Sequence, residues 1–289
     1  MRPDAPKEHV VHLLRPTTRA PRALTVALAA LLAVTGVAVA SAPAKAARPL
    51  VLVYGDSLVA EAAPFARDLL RDVAQVDEQV VGLGGTAVCD HFDLMRRDVA
   101  RRAPSIVVLS FSGNSLTDCM KDASGRQLLG SAAIEKYRRD IVEAVTIFRP
   151  GSPQIWLATS PISLLAEKRS EDGERRMADM MRSLAAQNPR VHVTDAAQAV
   201  LDNGWWTRTL PCLRNEPCTG GIDARGRRVN VVRAPDGGHF CPTPSPIHPQ
   251  CPTHSSGALR FALGMLVTPL RAASVYDEGR AARTMAAGF

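Results

Sequence analysis

The sequence predicts an α/β fold: a three-layer αβα arrangement around a central parallel five-stranded sheet. Three observations lead there. Short apolar runs alternate with longer segments whose apolar residues recur at helical spacing, the pattern of a parallel sheet covered by helices on both faces. Residues 105–111 (SIVVLSF) are apolar almost throughout, as expected of a strand buried on both sides. The 289 residues, 46% hydrophobic and 22% charged, suffice for one large or two modest domains with a substantial core and exclude wholesale disorder.

Taken in order, residues 49–54 are a continuous apolar run ending at Gly55, the first strand. Over 58–73, Leu58, Ala62, Phe65, Leu69 and Val73 share one helix face. Residues 76–83, with Val76, Val80, Val81 and Leu83, form a second strand before Gly84-Gly85. A helix over 91–102 sets Phe92, Met95 and Val99 against arginines on the opposite side. After the 105–111 strand, Ile134, Tyr137, Ile141, Val145 and Phe148 mark the inner face of a helix over 131–148. Residues 154–159 (QIWLAT) are strand four, 168–188 a charged helix, and 190–194 (RVHVT) strand five, with a short helix after Asp195. Right-handed crossovers leave few topologies for such a chain, of which 2-1-3-4-5 is the one adopted here. Between 203 and 238 the alternation breaks into a Gly-, Arg- and Cys-containing excursion. A closing helix over 255–271 follows, and 276–289 is an Ala/Arg-rich stretch expected to be a flexible tail. There is no internal repeat.

Residues 1–46 form a separate unit. Arg15, Arg19 and Arg22 precede eighteen mostly apolar positions (23–40), followed by small residues at Ala44 and Ala46. That pattern is a signal peptide with cleavage after Ala46; an N-terminal membrane anchor is the alternative, the run being near the lower length limit for a span. The remaining 47–275 is expected to form one domain. Of the formal charge of +7, residues 1–46 hold +4, leaving +3 for the body. That is too little for a phosphate-backbone partner, and aromatic residues at 4% leave few platforms for stacking on single-stranded bases, so no nucleic-acid partner is expected. Six cysteines, Cys89, Cys119, Cys212, Cys218, Cys241 and Cys251, lie in the exported part and favour disulfides. Proximity suggests 212 with 218 and 241 with 251, leaving 89 with 119, although six cysteines permit other pairings. His239, Cys241, His248, Cys251 and His254 also crowd together as zinc ligands would, but prolines scatter through that stretch, and an oxidising compartment favours disulfides over metal.

In an open α/β sheet, ligands bind beyond the carboxyl ends of the strands. Those ends carry Gly55-Asp56-Ser57-Leu58, Gly84-Gly85-Thr86 and Ser112-Gly113-Asn114-Ser115. Acyl transfer to serine needs a base within hydrogen-bond reach and preorganised donors for the oxyanion. Ser57 at a helix start offers a hydroxyl and an N–H; a glycine in the second turn offers an N–H; Asn114 offers an amide. The late sequence Asp236-Gly237-Gly238-His239 supplies a base with an orienting carboxylate three residues away.

At these residues the chain resembles the SGNH, or GDSL-type, hydrolases, whose blocks match Gly55-Asp56-Ser57-Leu58, Gly84-Gly85, Gly113-Asn114 and Asp236-x-x-His239 over about 49–271. The resemblance implies a flavodoxin-like fold, no cofactor, an ester or thioester substrate, a triad of Ser57, Asp236 and His239, and an oxyanion hole from Ser57, Gly85 and Asn114. The chain departs from the family at Val80-Val81-Gly82-Leu83-Gly84-Gly85-Thr86, which lacks the usual upstream asparagine and Ser-Gly pair. Gly85 is taken as the donor, with Gly84 as the alternative.

The expected function is therefore hydrolysis of small-molecule, glycan or lipid esters outside the cytoplasm, with association to membrane or cell envelope. Short acyl esters are favoured, since no amphipathic lid stands out, although 203–238 could cover the site. The alternatives are an O-acyltransferase or deacetylase acting on envelope glycans, and a non-catalytic envelope-binding protein. Asp90 is expected to cap the helix near His91, with His91 and His192 facing away from the site. Trp205-Trp206 either line a substrate cleft or pack the excursion onto the core. A Cys89–Cys119 bond would brace two of the oxyanion turns.

Overall fold

A computed structural model describes residues 48–164, 171–241 and 254–287. The proposed signal segment and the Cys241–Cys251 pairing involve residues outside that set. Five parallel strands, β1 (Leu50–Gly55), β2 (Asp77–Gly82), β3 (Ile106–Ser110), β4 (Gln154–Ala158) and β5 (Val191–Thr194), form one sheet in the order β2-β1-β3-β4-β5. Strands β1 and β3 are buried at every position because both sheet faces are covered. Along β1 the side chains alternate between two cores: Val51 and Val53 face one, Leu50, Leu52 and Tyr54 the other.

The first core is closed by helices α1 (Ser57–Asp68) and α5 (Ser256–Ala272), through Leu58, Phe65, Phe261, Met265 and Leu266. The second is closed by α2 (Phe92–Arg101), α3 (Gly130–Ile147) and α4 (Glu171–Gln187), through Met95, Tyr137, Ile141, Met181 and Leu184. In α1, α2 and α3 these are residues of the helical faces read from the sequence, whereas for α4 the sequence marks only a charged helix. The long 58–73 helix is the partial exception: α1 stops at Asp68, and one π-helical turn, Leu69–Val73, completes it.

The C-terminal stretch corrects an expectation. Rather than a flexible tail, residues Glu278–Ala287 form α6, with Ala281 buried in the first core and Arg280 paired to Asp277 at its start. Alanine-rich composition conceals such a helix: its buried face is small and gives little hydrophobic contrast, while alanine itself favours helix.

The excursion is built from two short antiparallel hairpins: β6 (Leu201–Asp202) with β7 (Trp205–Trp206), and β8 (Thr209–Pro211) with β9 (Val229–Val231). The Cys212–Cys218 disulfide closes the loop after β8. Inside that loop, buried Glu216 accepts from Arg260 of α5 at 2.8 Å and from the Leu213 N–H at 2.9 Å, with His254 at 3.4 Å. Burial pushes the Glu216 carboxyl up, but its bonds to His254, Ser256, Leu213 and Arg260 outweigh burial and hold it at about 2. The ion pair therefore fastens the excursion to α5 at neutral pH, and its stabilisation is lost as pH falls from the ordinary carboxyl range toward 2.

Candidate active site

Strand β1 delivers the first element. At Gly55 the chain runs so close to α1 and β3 that a Cβ would lie 2.2 Å from Val59 and 2.3 Å from the Ser110 carbonyl, so only glycine fits. Asp56 then caps α1, accepting from the Leu58 N–H at 3.1 Å, and this sets Ser57 as the first residue of the helix. The serine is half-buried, with the positive end of the helix dipole behind it.

The histidine and its carboxylate partner arrive from the loop between β9 and α5. Asp236 accepts from the Gly238 and His239 N–H groups at 2.9 and 3.0 Å, folding the four residues into a tight turn. Its other oxygen lies 2.6 Å from His239 Nδ1, and His239 Nε2 lies 3.0 Å from Ser57 Oγ. Burial raises the Asp236 carboxyl, but the backbone and side-chain bonds from His239 and the Gly238 N–H prevail and hold it below its ordinary range. An ionised Asp236 can only accept a hydrogen bond, so the neutral imidazole keeps its proton on Nδ1 and turns the Nε2 lone pair toward the serine. Residues 182 positions apart thus form one hydrogen-bonded line.

The three sheet-end turns converge beside it. Ser57, Gly84, Gly85, Asn114, Leu116 and His239 line a cleft of about 220 Å³. In the second turn, Thr86 closes back onto the Leu83 carbonyl through both its N–H and its hydroxyl, and Gly85 takes φ +75°, a left-handed backbone that favours glycine. Both glycines reach the cleft, Gly84 being the nearer to Ser57: a Cβ there would sit 3.9 Å from that of the serine. Asn114 directs Nδ2 at two acceptors, Asp56 Oδ2 at 3.1 Å and the Thr86 carbonyl at 3.2 Å. Donation to an oxyanion would require it to share or release the weaker of these.

Several contributors escaped the sequence. Asp56 is fully buried, and its Oδ2 accepts from the Ser112 N–H at 2.6 Å, the Ser112 hydroxyl at 2.7 Å and Asn114, so one carboxylate ties the first turn to the third. Tyr137 of α3 donates to the Asn114 carbonyl at 2.7 Å. His91, expected to face away, is buried directly behind the second turn, with Nε2 3.0 Å from the Thr86 hydroxyl and its ring edge-on to Phe111; burial lowers its basicity. Asp90 caps the turn at Ala87, whose N–H it accepts at 2.8 Å, rather than α2. His192 stacks on Trp156 within the sheet, clear of the cleft. Of the two tryptophans, Trp206 packs near Ile162 and Leu201 and donates to the Gly237 carbonyl at 2.8 Å, the packing role, whereas Trp205 is 56% exposed beneath the Arg175 guanidinium.

Neither a family model nor a curated protein matches this chain. Among solved structures it is similar to a GDSL-like lipase from Bacteroides thetaiotaomicron (12% identity, 78% of this chain and 88% of that one, TM-score 0.47). It is also similar to a lipase/acylhydrolase from Enterococcus faecalis (17%, 62% and 86%, TM-score 0.42) and to an acetyl-xylooligosaccharide esterase from Geobacillus (14%, 53% and 78%, TM-score 0.40).

The disulfide Cys89–Cys119, with Cα atoms 6.2 Å apart, joins the 3-10 turn Val88–His91 after the second turn to Asp118–Met120 after the third. Cys212–Cys218 also forms, while Cys241 is disulfide-bonded as well. That commitment, with both His239 ring nitrogens engaged, removes two of the five candidate zinc ligands. Cys89 and Cys119 also cluster with Asp90, but their sulfurs are spent on each other. Replacing Cys89 and Cys119 together by serine is expected to lower stability by about 3 kcal/mol, since the crosslink restricts the unfolded chain. If Gly85 and Asn114 serve as the sequence resemblance implies, it should also lower kcat severalfold, because the bond ties together segments that follow their two turns. Denaturant melts and ester turnover on the double variant test both, and a stability loss with unchanged kcat would refute the clamp.

Proposed function

We propose that this protein is a serine hydrolase of carboxylic esters, of the GDSL type that its sequence resembles, exported from the cytoplasm and acting through an acyl-enzyme on Ser57. The observation that carries this reading is the unbroken line Asp236–His239–Ser57, at 2.6 and 3.0 Å, beside a cleft that Gly84, Gly85 and Asn114 also line. Two disulfides fit an oxidising compartment.

His239 Nε2 takes the Ser57 hydroxyl proton as Oγ adds to the acyl carbonyl carbon. The oxyanion that forms draws on the N–H groups of Ser57 and Gly85 and on Asn114 Nδ2, donors worth roughly 3–4 kcal/mol each when aimed at the transition state. As the tetrahedral species collapses, the bond from carbon to the alcohol oxygen breaks, and the imidazolium gives its proton to that oxygen. Water then repeats the sequence on the acyl-enzyme with the same base, while Asp236 stays ionised throughout.

The small cleft favours short acyl groups. Leu116 in its wall and Leu83 on the second turn are 57% and 49% exposed, which suits a methyl or short alkyl group better than a charged one. Acetyl esters of envelope glycans and small alcohols are thus the substrate class we favour. The test is an acyl-length series of chromogenic esters on the wild type and on Ser57→Ala, with organophosphonate labelling of the serine. Turnover should be greatest for acetyl to butyryl esters and vanish with the label in the variant. Serine-independent background across the series, with no labelling, would refute the reading in favour of a binding protein. Products appearing on added glycan acceptors would instead identify a transferase.

A further inference from the structure

The catalytic turn is a soft segment. Gly237 and Gly238 lie between orienter and base, and Gly237 has φ +78°. Its backbone is nevertheless pinned at successive residues. The Gly237 carbonyl accepts from Trp206 Nε1 at 2.8 Å and from the Leu164 N–H at 3.2 Å. The Gly238 carbonyl accepts from Arg233 at 3.2 Å, and the Phe240 N–H donates to Glu61 Oε2 at 2.8 Å.

The last contact differs in kind, because Glu61 is on the nucleophile's own helix. It stands four residues after Ser57, hence on the same face and roughly 6 Å further along α1. Two neighbouring residues of the turn, His239 and Phe240, therefore dock on two residues one helical turn apart. A single contact would let the turn pivot about the serine; two fix both distance and direction. Beneath them lies Arg233, fully buried, spanning the Gly238 and Ile162 carbonyls and stacked 5.1 Å from the Phe240 ring centre.

We propose that Glu61 is a positioning residue: its carboxylate, accepting the Phe240 N–H beside the buried Arg233 cation, fixes the turn so that the His239 imidazole meets Ser57. The assignment rests on the serine-hydrolase reading for its catalytic meaning, although the contact itself does not. The charged and titratable groups facing Glu61 are His239 and Asp236 on the turn, Asp56 at the helix cap, and Arg233. Burial pushes the Glu61 carboxyl up; His239 and the Phe240 N–H oppose this, Asp236 and Asp56 reinforce it, and the group settles at about 7. Because the folded value is raised, the folded state holds this proton more tightly than the unfolded chain. Stability therefore falls as pH rises from the ordinary carboxyl range through 7, and replacing Glu61 by a neutral residue should flatten that slope.

Two variants of similar size separate position from charge. Glu61→Gln keeps an oxygen for the Phe240 N–H; Glu61→Met fills the space with no such acceptor. We expect kcat within about threefold of wild type for Glu61→Gln and at least about tenfold lower for Glu61→Met, with KM little changed in both, as for a loss of alignment. Melting curves across pH 5–8 should show both variants folded, with the wild-type slope diminished. Wild-type kcat in folded Glu61→Met, or equal losses in the two variants, would overturn the proposal. NMR of the His239 ring supplies an arm independent of turnover: its signals should follow the Glu61 titration in wild type, lose that inflection in Glu61→Gln, and shift or broaden in Glu61→Met. If the wild type neither hydrolyses esters nor takes a phosphonate label, the hydrolase reading fails while this arm still judges the contact. Unchanged ring signals in Glu61→Met would then reject it.

Discussion

Replacing His239 by alanine is expected to lower kcat by about 10⁴ or more while leaving the protein folded, because serine, base and orienter act as one unit. His239 has a side-chain exposure of 28%, so its truncation leaves no large cavity. Asp236→Asn should be nearly as severe, losing roughly 10³–10⁴. An asparagine in that turn can present its amide N–H to Nδ1, which fixes the opposite tautomer and turns an Nε2–H toward Ser57, where the mechanism needs a lone pair. It also forfeits the negative charge that stabilises the imidazolium. Initial rates on the best ester of the acyl series measure both effects. Turnover surviving in His239→Ala at more than about a hundredth of wild type would remove the histidine from the role of base. Asp236 remains ionised until pH falls below the usual carboxylate range, so its protonation should not limit the wild-type rate above that range.

How legible this molecule was depends on how local each signal is. The sheet could be read because β1 and β3 are buried at every position and so appear as unbroken apolar runs. The hydrogen-bonded line of Ser57, His239 and Asp236 could be read because the Gly-Asp-Ser-Leu turn and the Asp-Gly-Gly-His turn are each a pattern of four residues. Pairing Cys212 with Cys218 needed only their separation of six. Contacts between distant segments left no such trace. Phe240 and Glu61 are 179 residues apart, Ser112 and Asp56 are 56, and nothing in either partner's neighbourhood marks it. His91 resembled a surface helix start because its sequence setting is polar, yet the chain folds it under the second turn. The hairpins of the excursion are two or three residues long, too short for a period-two pattern, and their anchors lie elsewhere in the chain: Trp206 packs near Ile162, and Arg260 bonds Glu216.

The same consideration gives Asp56 the second large effect. A buried carboxylate is tolerated when hydrogen bonds replace its water, and here four donors do so: the Leu58 N–H on one oxygen, and the Ser112 N–H, the Ser112 hydroxyl and the Asn114 amide on the other. Asp56→Asn preserves shape but must point an NH₂ group at one of these sets. With its oxygen toward Leu58 it keeps the helix cap and meets the Ser112 N–H and Asn114 donor to donor. Stability is expected to fall by about 3–5 kcal/mol, the range for breaking a buried charged network. On the proposed mechanism the kinetic consequence should be as plain, because this carboxylate holds Asn114, the proposed donor; losing one aligned oxyanion donor costs roughly 10²–10³ in kcat. Ser112→Ala removes only the hydroxyl and leaves the N–H bond, so its effects should be several times smaller on both scales. Urea melts and kcat on the three proteins order these contributions. An Asp56→Asn protein with wild-type stability and wild-type turnover would mean that the first and third turns hold their places without the carboxylate, and that the oxyanion donors are set by the sheet alone.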